Sequence, residues 1–403
     1  MDTTEFYQQL LKPPAPWNVT VVKLTGDRVD VWLEHGPSKW ACEECEELCS
    51  VYDHTEERTW RHLNTCEYKT WIHARLPRIK CDEHGVRQIQ APLSGPRSHL
   101  TFLMESRTID VLLECNRKGA AKLTEMGWDQ VDLVMQKAVD RGLEHRSEKL
   151  PEVMGIDEKS VFKRHKYCTM ITDIRKGTIY DVINARTKEV VEPWFKGHAA
   201  LLKGVKKVAM DMSAGYAGVV SRLTDAEICF DHFHVTQKVL DGVNEVRKQE
   251  QKSLPEHVSR KDFFRSRFLF LYNQENIPEK RIAQFERLKE IAVKTSRAWA
   301  IKEQLRGLWS CVTVEEAEAF FKKWFWWATH SRLEPMRKAA HTIKRHWQGV
   351  VNAIVYKISN ACTEGLNSKM EKVKRDAYGF RSKKRFRIAA LFYCGGLELH
   401  PNQ

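Results

Sequence analysis

The order of short apolar segments in the middle of the chain constrains the fold more than any other feature. From position 151 the pattern predicts strands and helices in the order β-β-β-α-β-α-β, at 153–157, 167–173, 178–183, 190–202, 205–211, 216–223 and 228–231. Short turns join the first three strands, and Lys176-Gly177 marks one of them. This order predicts an α/β core.

Acidic residues follow two of these strands, and a third begins a helix near the end of the chain. Asp157 closes the first apolar run, and Asp211 closes the run Val208-Ala209-Met210. Glu364 lies in the first turn of an amphipathic helix, with Asn367 and Ser368 one turn on and able to orient it or a metal-bound water. Open α/β sheets place their chemistry at the carboxyl ends of strands. Two aspartates and one glutamate can hold two divalent cations for phosphoryl transfer.

Several motifs occur in an order that resembles a known family. They are Gly155-Ile156-Asp157-Glu158, Met210-Asp211-Met212-Ser213, Asp231-His232-Phe233-His234-Val235, Glu364-Gly365-Leu366-Asn367 and Tyr378-Gly379-Phe380-Arg381. Together they resemble the DDE transposases of bacterial insertion sequences, specifically the ISL-three group. The resemblance covers nearly the whole chain. It implies a ribonuclease-H-like core in which the first and fourth strands are neighbours, and a pair of Mg²⁺ (or Mn²⁺) ions held by Asp157, Asp211 and Glu364.

Asp231 and His234 form a D-x-x-H pair that recurs in transposase groups of this kind. As auxiliary residues they would orient a water at the metals or a flipped base. Alternatively, Asp231 caps a helix and bonds to His234 one turn into it. The sequence leaves both interpretations open.

Positive charge points to a polyanionic partner. The formal net charge is +13, and lysines and arginines that neutralise phosphates dominate the affinity of proteins for nucleic acid. The charge concentrates between 369 and 387, where nine Lys/Arg stand against two acids. From this cluster we expect phosphate contacts by Lys374, Arg375, Arg381, Lys383 and Arg387.

Cysteine spacing near the start of the chain predicts a structural zinc ion. The knuckles Cys42-x2-Cys45 and Cys81-x2-His84 can close a tetrahedral site with four protein ligands. The family usually has a second cysteine where His84 stands. The rival ligands in the same region are Cys49, His54, His62 and Cys66. A Gly26-Asp27 turn between two alternating runs predicts a hairpin ahead of the knuckles.

A helical segment lies between the zinc module and the strands. Within it, 120–131 reads as a helix, a glycine turn and a second helix with Val131, Val134, Met135 and Ala138 on one face. This suits a helix-turn-helix that enters a major groove. However, Asp129 and Asp132 oppose phosphate binding.

A long helical region separates the last strand from Glu364. It is too long for a loop, and it holds six of the thirteen tryptophans between Trp299 and Trp347. We expect most of these to form a helical core, although exposed ones could stack on bases. The resulting multidomain α+β division has a zinc ribbon at 1–95, a helix-turn-helix at 100–148, a core at 151–235 and 356–403, and a helical insertion at 236–355.

These features predict a transposase that binds the terminal inverted repeats of its element in double-stranded DNA, cleaves there, and joins the ends to target DNA. Reaction at two ends implies at least a homodimer. The alternatives are a catalytically inactive DNA-binding regulator derived from a transposase, and a nuclease of RNA–DNA hybrids. No signal peptide and no apolar run of roughly 20 residues is present in the sequence. We therefore expect a cytoplasmic, nucleoid-associated protein without membrane contact.

Overall fold

A computed structural model describes residues 2–162, 166–183, 188–255, 259–359 and 361–401. The chain divides into two compact units. The first comprises 1–146 and 397–403, and the second comprises 147–396.

Two four-stranded sheets follow a short N-terminal helix in the first unit. The elements are α1 (Thr3–Leu11), β1 (Trp17–Thr25), β2 (Arg28–His35), β3 (Lys39–Ala41), β4 (Leu48–His54), β5 (Arg58–Arg61), β6 (Lys69–Ala74), β7 (Pro77–Cys81) and β8 (Gly85–Gln88). One sheet has the order β1-β2-β6-β5 and the other β3-β4-β7-β8. The expected hairpin is β1–β2, and its turn uses Gly26 at φ 60°. Trp17, Trp60 and Ile72 are buried in the core of the first sheet.

Three helices complete the first unit: α2 (Phe102–Glu114), α3 (Arg117–Thr124) and α4 (Trp128–His145). The α3–α4 turn uses Glu125 at φ 54°, and Gly127 is the N-cap of α4. The predicted apolar face of α4 is buried, at Val131, Val134, Met135 and Ala138. The C-terminal segment also belongs here, because Arg141 Nη1 donates to the Leu399 carbonyl at 2.6 Å.

A five-stranded sheet forms the centre of the second unit. Its strands and first two helices are β9 (Val153–Phe162), β10 (Lys166–Asp173), β11 (Thr178–Ile183), α5 (Lys188–Gly197), β12 (Lys207–Met210), α6 (Ala214–Leu223) and β13 (Glu227–Phe230). The order is β11-β10-β9-β12-β13. The pairs β11–β10 and β10–β9 are antiparallel, whereas β9–β12 and β12–β13 are parallel. The predicted element order is found, and the first and fourth strands are neighbours.

Asp157 does not end its strand, contrary to the sequence interpretation. β9 continues to Phe162, because its polar second half pairs with β10 as a two-stranded ribbon, for example Lys159 with Cys168. Pairing of β9 with β12 is last seen at Gly155–Ala209. Asp157 therefore lies just beyond the end of the parallel pairing.

Helices make up the rest of the second unit. They are α7 (His232–Gln251), α8 (Arg260–Arg265), α9 (Arg267–Leu271), α10 (Ile282–Ile291), α11 (Val293–Leu305), α12 (Val314–His330), α13 (Glu334–Arg345), α14 (Trp347–Val355), α15 (Ala361–Asp376) and α16 (Lys383–Cys394). One apolar core runs from the sheet into these helices. Five of the six tryptophans between 299 and 347 are in or against this core, as expected, whereas Trp326 is 63% exposed. Among the described helices, none is long and apolar enough to cross a membrane.

Candidate active site and metal centre

Three aspartates lie at one level along one edge of the central sheet. Gly155, Ala209 and Cys229 are in register across β9, β12 and β13. Two residues further along the chain are Asp157, within β9, and Asp211 and Asp231, which directly follow the last residues of β12 and β13. The Asp231 N–H also donates to the Met210 carbonyl at 3.0 Å, so the two strand ends lie side by side. The topology therefore brings together the two predicted catalytic aspartates and the auxiliary Asp231.

Helix α15 brings Glu364 to this edge. As predicted, Glu364 lies in its first turn, with Leu366 and Met370 buried on the opposite side. The helix is fastened to β10 by a hydrogen bond at 3.0 Å between the buried hydroxyls of Thr363 and Thr172.

Asn367 contacts Asp157 rather than Glu364. Its Nδ2 donates to Asp157 Oδ2 at 2.5 Å, and Lys159 Nζ donates to the Asn367 carbonyl at 3.1 Å. The second oxygen of Asp157 accepts from the Glu158 N–H at 2.8 Å. Asp157 is thus held from both sides. The sequence singled out Asn367 for its spacing after Glu364, but Lys159 was missed because nothing in the pattern distinguishes it from other surface lysines.

The acids and His234 interact electrostatically. Burial raises the pKa of Asp157, and the charge of Asp211 raises it further, while His234 and the two hydrogen bonds oppose the shift. Burial likewise raises the pKa of Glu364, as do Asp231 and Asp157, again against His234. Each of the five predicted site residues (Asp157, Asp211, Asp231, His234 and Glu364), which we name the acid group, therefore interacts electrostatically with at least one of the others.

Asp231 is 3% exposed and is the N-cap residue of α7, but its side chain makes no capping hydrogen bond to the helix within the described residues. The Asp211 carboxylate accepts from the Ser213 N–H at 3.0 Å.

Magnesium fits the chemistry of this group. Carboxylates are the hard oxygen donors that Mg²⁺ prefers, and like charges that raise one another's pKa are relieved by a cation. The Oδ1 atom of Asn367 is buried and accepts no hydrogen bond from the described residues. Asp157, Asp211 and Glu364 would hold the metal. Among the described residues, the sets of three or more ligand atoms that all lie within 4.8 Å of one another belong to the first unit, so Asp157, Asp211 and Glu364 do not all come that close together.

Four predicted zinc ligands converge in the first unit. Sulfur and nitrogen atoms of Cys42, Cys45, Cys81 and His84 all lie within 4.8 Å of one another. The Cys45–Cys81 sulfurs are 3.6 Å apart, and Cys42 Sγ lies 3.8 Å from His84 Nδ1. A tetrahedron with Zn–S bonds of about 2.3 Å has edges of about 3.8 Å. The spacing fits zinc.

Side chains and backbone around these ligands support metal binding. His84 Nε2 faces Glu44 at 3.5 Å, the arrangement in which a carboxylate orients a ligating imidazole. Backbone N–H groups of His84 and Glu83 lower the pKa of the Cys81 thiol against the effect of burial. A thiolate is the form that binds metal.

The rival zinc ligands have other environments. Cys49 and Glu47 form a second group with Cys81. His54 pairs with His35 at 3.0 Å, and His62 is buried and bonded to Thr101 at 2.8 Å. Cys66 is exposed.

The predicted phosphate-contacting residues differ in their environments. Arg375 and Arg381 are exposed, while Lys374 and Lys383 are half-buried. Lys374 lies 3.4 Å from Glu371. Arg387 Nε donates to Asp181 Oδ1 at 2.7 Å, so its guanidinium already binds a protein carboxylate.

Comparison with known proteins decides the family. Residues 154–390 match the family model for ISL-three transposases. The chain belongs to this family. Residues 38–84 match the zinc-finger of the transposases of IS204, IS1001, IS1096 and IS1165. The predicted recognition is therefore confirmed, together with the zinc ribbon as a family feature.

Curated relatives of this transposase extend over most of its length. The transposase for insertion sequence element IS1001 of Bordetella parapertussis is 23% identical over 91% of this chain and 92% of its own. The transposase for insertion sequence element IS1557 of Mycobacterium tuberculosis is 23% identical over 88% of this chain and 86% of its own.

Proposed function

We propose that this transposase binds the terminal inverted repeats of its element and cleaves and joins DNA at the Asp157, Asp211 and Glu364 carboxylates. The observation that carries the proposal is that Asp157, Asp211 and Asp231 lie on, or directly after, neighbouring parallel strands, and that α15 contacts Asp157 through Asn367. Membership of the family supports DNA as the substrate.

The reaction is two successive phosphoryl transfers. Hydrolysis of the phosphodiester at an element end releases a 3′-hydroxyl, and this hydroxyl then displaces a phosphodiester of the target. A bound pair of Mg²⁺ ions would stabilise the attacking and leaving oxygens of each transfer. The protein fixes the direction of its ligands: Asn367 and the Glu158 N–H hold Asp157, and the first turn of α15 holds Glu364.

Asp231 and His234 act on this site rather than on the stability of α7. His234 lowers the pKa of both Asp157 and Glu364, so a positive charge on it would favour their ionised forms. The burial of Asp231 beside Glu364, whose pKa its charge raises, supports the same assignment.

The remaining parts of the chain serve DNA recognition and assembly. In the five-stranded sheet, three antiparallel strands are followed by two that run parallel to the first of them, and this mixed order supports a ribonuclease-H-like core. Helices α3 and α4, with a tight turn between them, are proposed as the helix-turn-helix. One structural Zn²⁺ bound by Cys42, Cys45, Cys81 and His84 would stabilise the ribbon. Joining two ends requires at least a dimer on DNA.

Separation of binding from cleavage tests the proposal. Asp157→Asn, Asp211→Asn and Glu364→Gln should bind inverted-repeat DNA nearly normally in a mobility-shift assay, because recognition uses other residues. They should cut the same DNA undetectably in Mg²⁺. His234→Ala should lose most of its cleavage in the same assay, while its melting temperature, measured separately, should change little. Cleavage by Glu364→Gln at the parent rate would refute the assignment of the third ligand.

A further inference from the structure

An unusual exposed surface lies on helices α8 and α9 and the residue that follows them. Phe264 is 61% exposed, Phe268 56% and Tyr272 38%. Exposed cations are interleaved with these rings. We name as the basic-aromatic strip the set Lys261, Phe264, Arg265, Arg267, Phe268 and Tyr272.

The strip is anchored from beneath. Phe263, Leu269 and Phe270, which alternate with it along the chain, are fully buried in the core of the second unit. Because the buried residues fix the two short helices, the exposed rings are presented by an ordered backbone. Surface exposure of these rings is therefore not a sign of poor packing.

Contacts hold the rings in defined positions. Arg247 is 1% exposed, and its guanidinium lies 5.8 Å from the centre of the Phe264 ring, within the range of a cation–π contact. The Phe268 and Tyr272 rings are 6.5 Å apart, and the Arg267 guanidinium lies 5.6 Å from Phe268. Preorganised rings lose little conformational entropy on binding.

Charge and ring type together select the partner. Exposed large apolar side chains in a cluster mark an interaction surface, and the flanking lysine and arginines favour a polyanion. Duplex DNA presents phosphates, but its base faces are covered by stacking. Aromatic rings can stack only on bases that are unpaired, and a basic groove with aromatic platforms is how single strands are bound.

We propose that the basic-aromatic strip binds an unpaired stretch of DNA, with Phe264 and Phe268 stacking on bases and Arg265 and Arg267 contacting phosphates. The strip shares no residue with the acid group or with the basic cluster that follows Glu364. It rests on the proposed function only in taking DNA as the substrate.

Binding of two fluorescent probes to the full-length chain tests the strip. The probes are a 20-nucleotide oligothymidylate and a 20-base-pair duplex, measured by anisotropy without divalent cations. Stacking is worth enough that removing a ring should weaken oligothymidylate binding roughly 5- to 100-fold. Phe264→Ala/Phe268→Ala should therefore lose at least tenfold for the single strand and much less for the duplex. Phe264→Tyr/Phe268→Tyr should retain parent affinity.

Matched controls separate stacking from lost apolar surface and lost charge. Ile282→Ala/Val293→Ala removes two other exposed apolar side chains of the same unit, 46% and 55% exposed, and should leave both affinities unchanged. Arg265→Ala/Arg267→Ala should reduce the salt slope for the single strand by about 0.7 per phosphate contact. Lys322→Ala/Lys323→Ala removes two exposed charges elsewhere on the unit and should reduce it less.

Equal loss for single strand and duplex, or no loss for either, would overturn the proposal. So would a change in self-association of the phenylalanine variants, measured by sedimentation, with unchanged DNA affinity, since the strip would then be an interface between copies. Asp157→Asn should bind oligothymidylate as the parent does. Loss of cleavage in that variant tests the proposed function, independently of the strip.

Discussion

Substitution of Gly349 tests the packing that supports the acid group. Gly349 lies in the first turn of α14, and a Cβ there would lie 2.4 Å from Cδ2 and 2.6 Å from Cε2 of Phe230. Phe230 is the last residue of β13, directly before Asp231. Its ring is 5% exposed and meets His346 edge-on at 5.0 Å, so it has little room to move.

Two effects of Gly349→Ala oppose each other. Replacing glycine by alanine in a helix stabilises by at most about 1 kcal/mol, and by less in a first turn. Forcing an extra carbon into a close-packed core costs about 1–3 kcal/mol. The steric cost should prevail, giving a net destabilisation of about 1 kcal/mol. For a unit of this size, that lowers the melting temperature by roughly 2–4 °C.

Gly218 provides the matched control. It lies inside α6, and a Cβ there would meet no atom within 4 Å. Gly218→Ala should therefore raise the melting temperature, since only the helix propensity changes. Scanning calorimetry at one scan rate compares both variants with the parent, and Gly349→Ala/Phe230→Leu should recover stability if the clash is the cause. A Gly349→Ala protein that melts at or above the parent temperature would refute this account of α14 against β13.

Further expected outcomes concern the first unit and the basic cluster. Burial, and secondarily Arg61, lowers the pKa of His62 to about 4. At this histidine the unfolded chain therefore binds a proton at a higher pH than the folded chain does. As a result, the free energy of unfolding should fall by up to about 3 kcal/mol as the pH drops from 6.5 towards 4. The free energy of unfolding of His62→Asn, measured with urea, should lack this part of the pH dependence. The same dependence on pH in the variant and the parent would contradict the prediction. Elemental analysis should find about one zinc per chain. The zinc should be lost in Cys42→Ser/Cys45→Ser and kept in Cys49→Ser. Zinc lost only from Cys49→Ser would show that Cys49, and not the Cys42–Cys45 pair, binds the metal. Arg375→Ala/Arg381→Ala should reduce the salt slope of duplex binding by about 0.9 per contact, whereas Arg387→Ala should mainly lower the melting temperature because it breaks the pair with Asp181. If instead Arg387→Ala reduced the salt slope and Arg375→Ala/Arg381→Ala did not, then Arg387 rather than the exposed pair would contact DNA.

Apolar periodicity predicted the elements of the central sheet because apolar side chains of each strand pack in the core. The same signal failed in the second half of β9, where Lys159 and Ser160 are polar yet paired with β10. Main-chain hydrogen bonds in a ribbon need no apolar side chains, so hydropathy could not locate the end of the strand. Helix α1 was missed although it has a capping box at Asp2 and Glu5.

Partners of polar side chains were the least predictable part of the site. The spacing that suggested Asn367 as a neighbour of Glu364 is local to one helix, whereas its hydrogen bond goes to Asp157 on another element. Arg387 was predicted to contact phosphate from its place in a basic run, and no local pattern indicated its ion pair with Asp181 on β11. Such pairings depend on tertiary contacts, and local sequence does not encode them.

The contact between Asn367 and Asp157 joins residues 210 positions apart, which has a consequence for the order of events on the ribosome. At roughly 5–20 residues per second, about 10–40 s of synthesis separate the appearance of the first acid from that of the helix that completes the group. During that interval the nascent chain carries two aspartates without their glutamate. On the proposed assignment of the catalytic residues, a partly synthesised chain would be unable to cut DNA, and competence would begin only once α15 has emerged and docked.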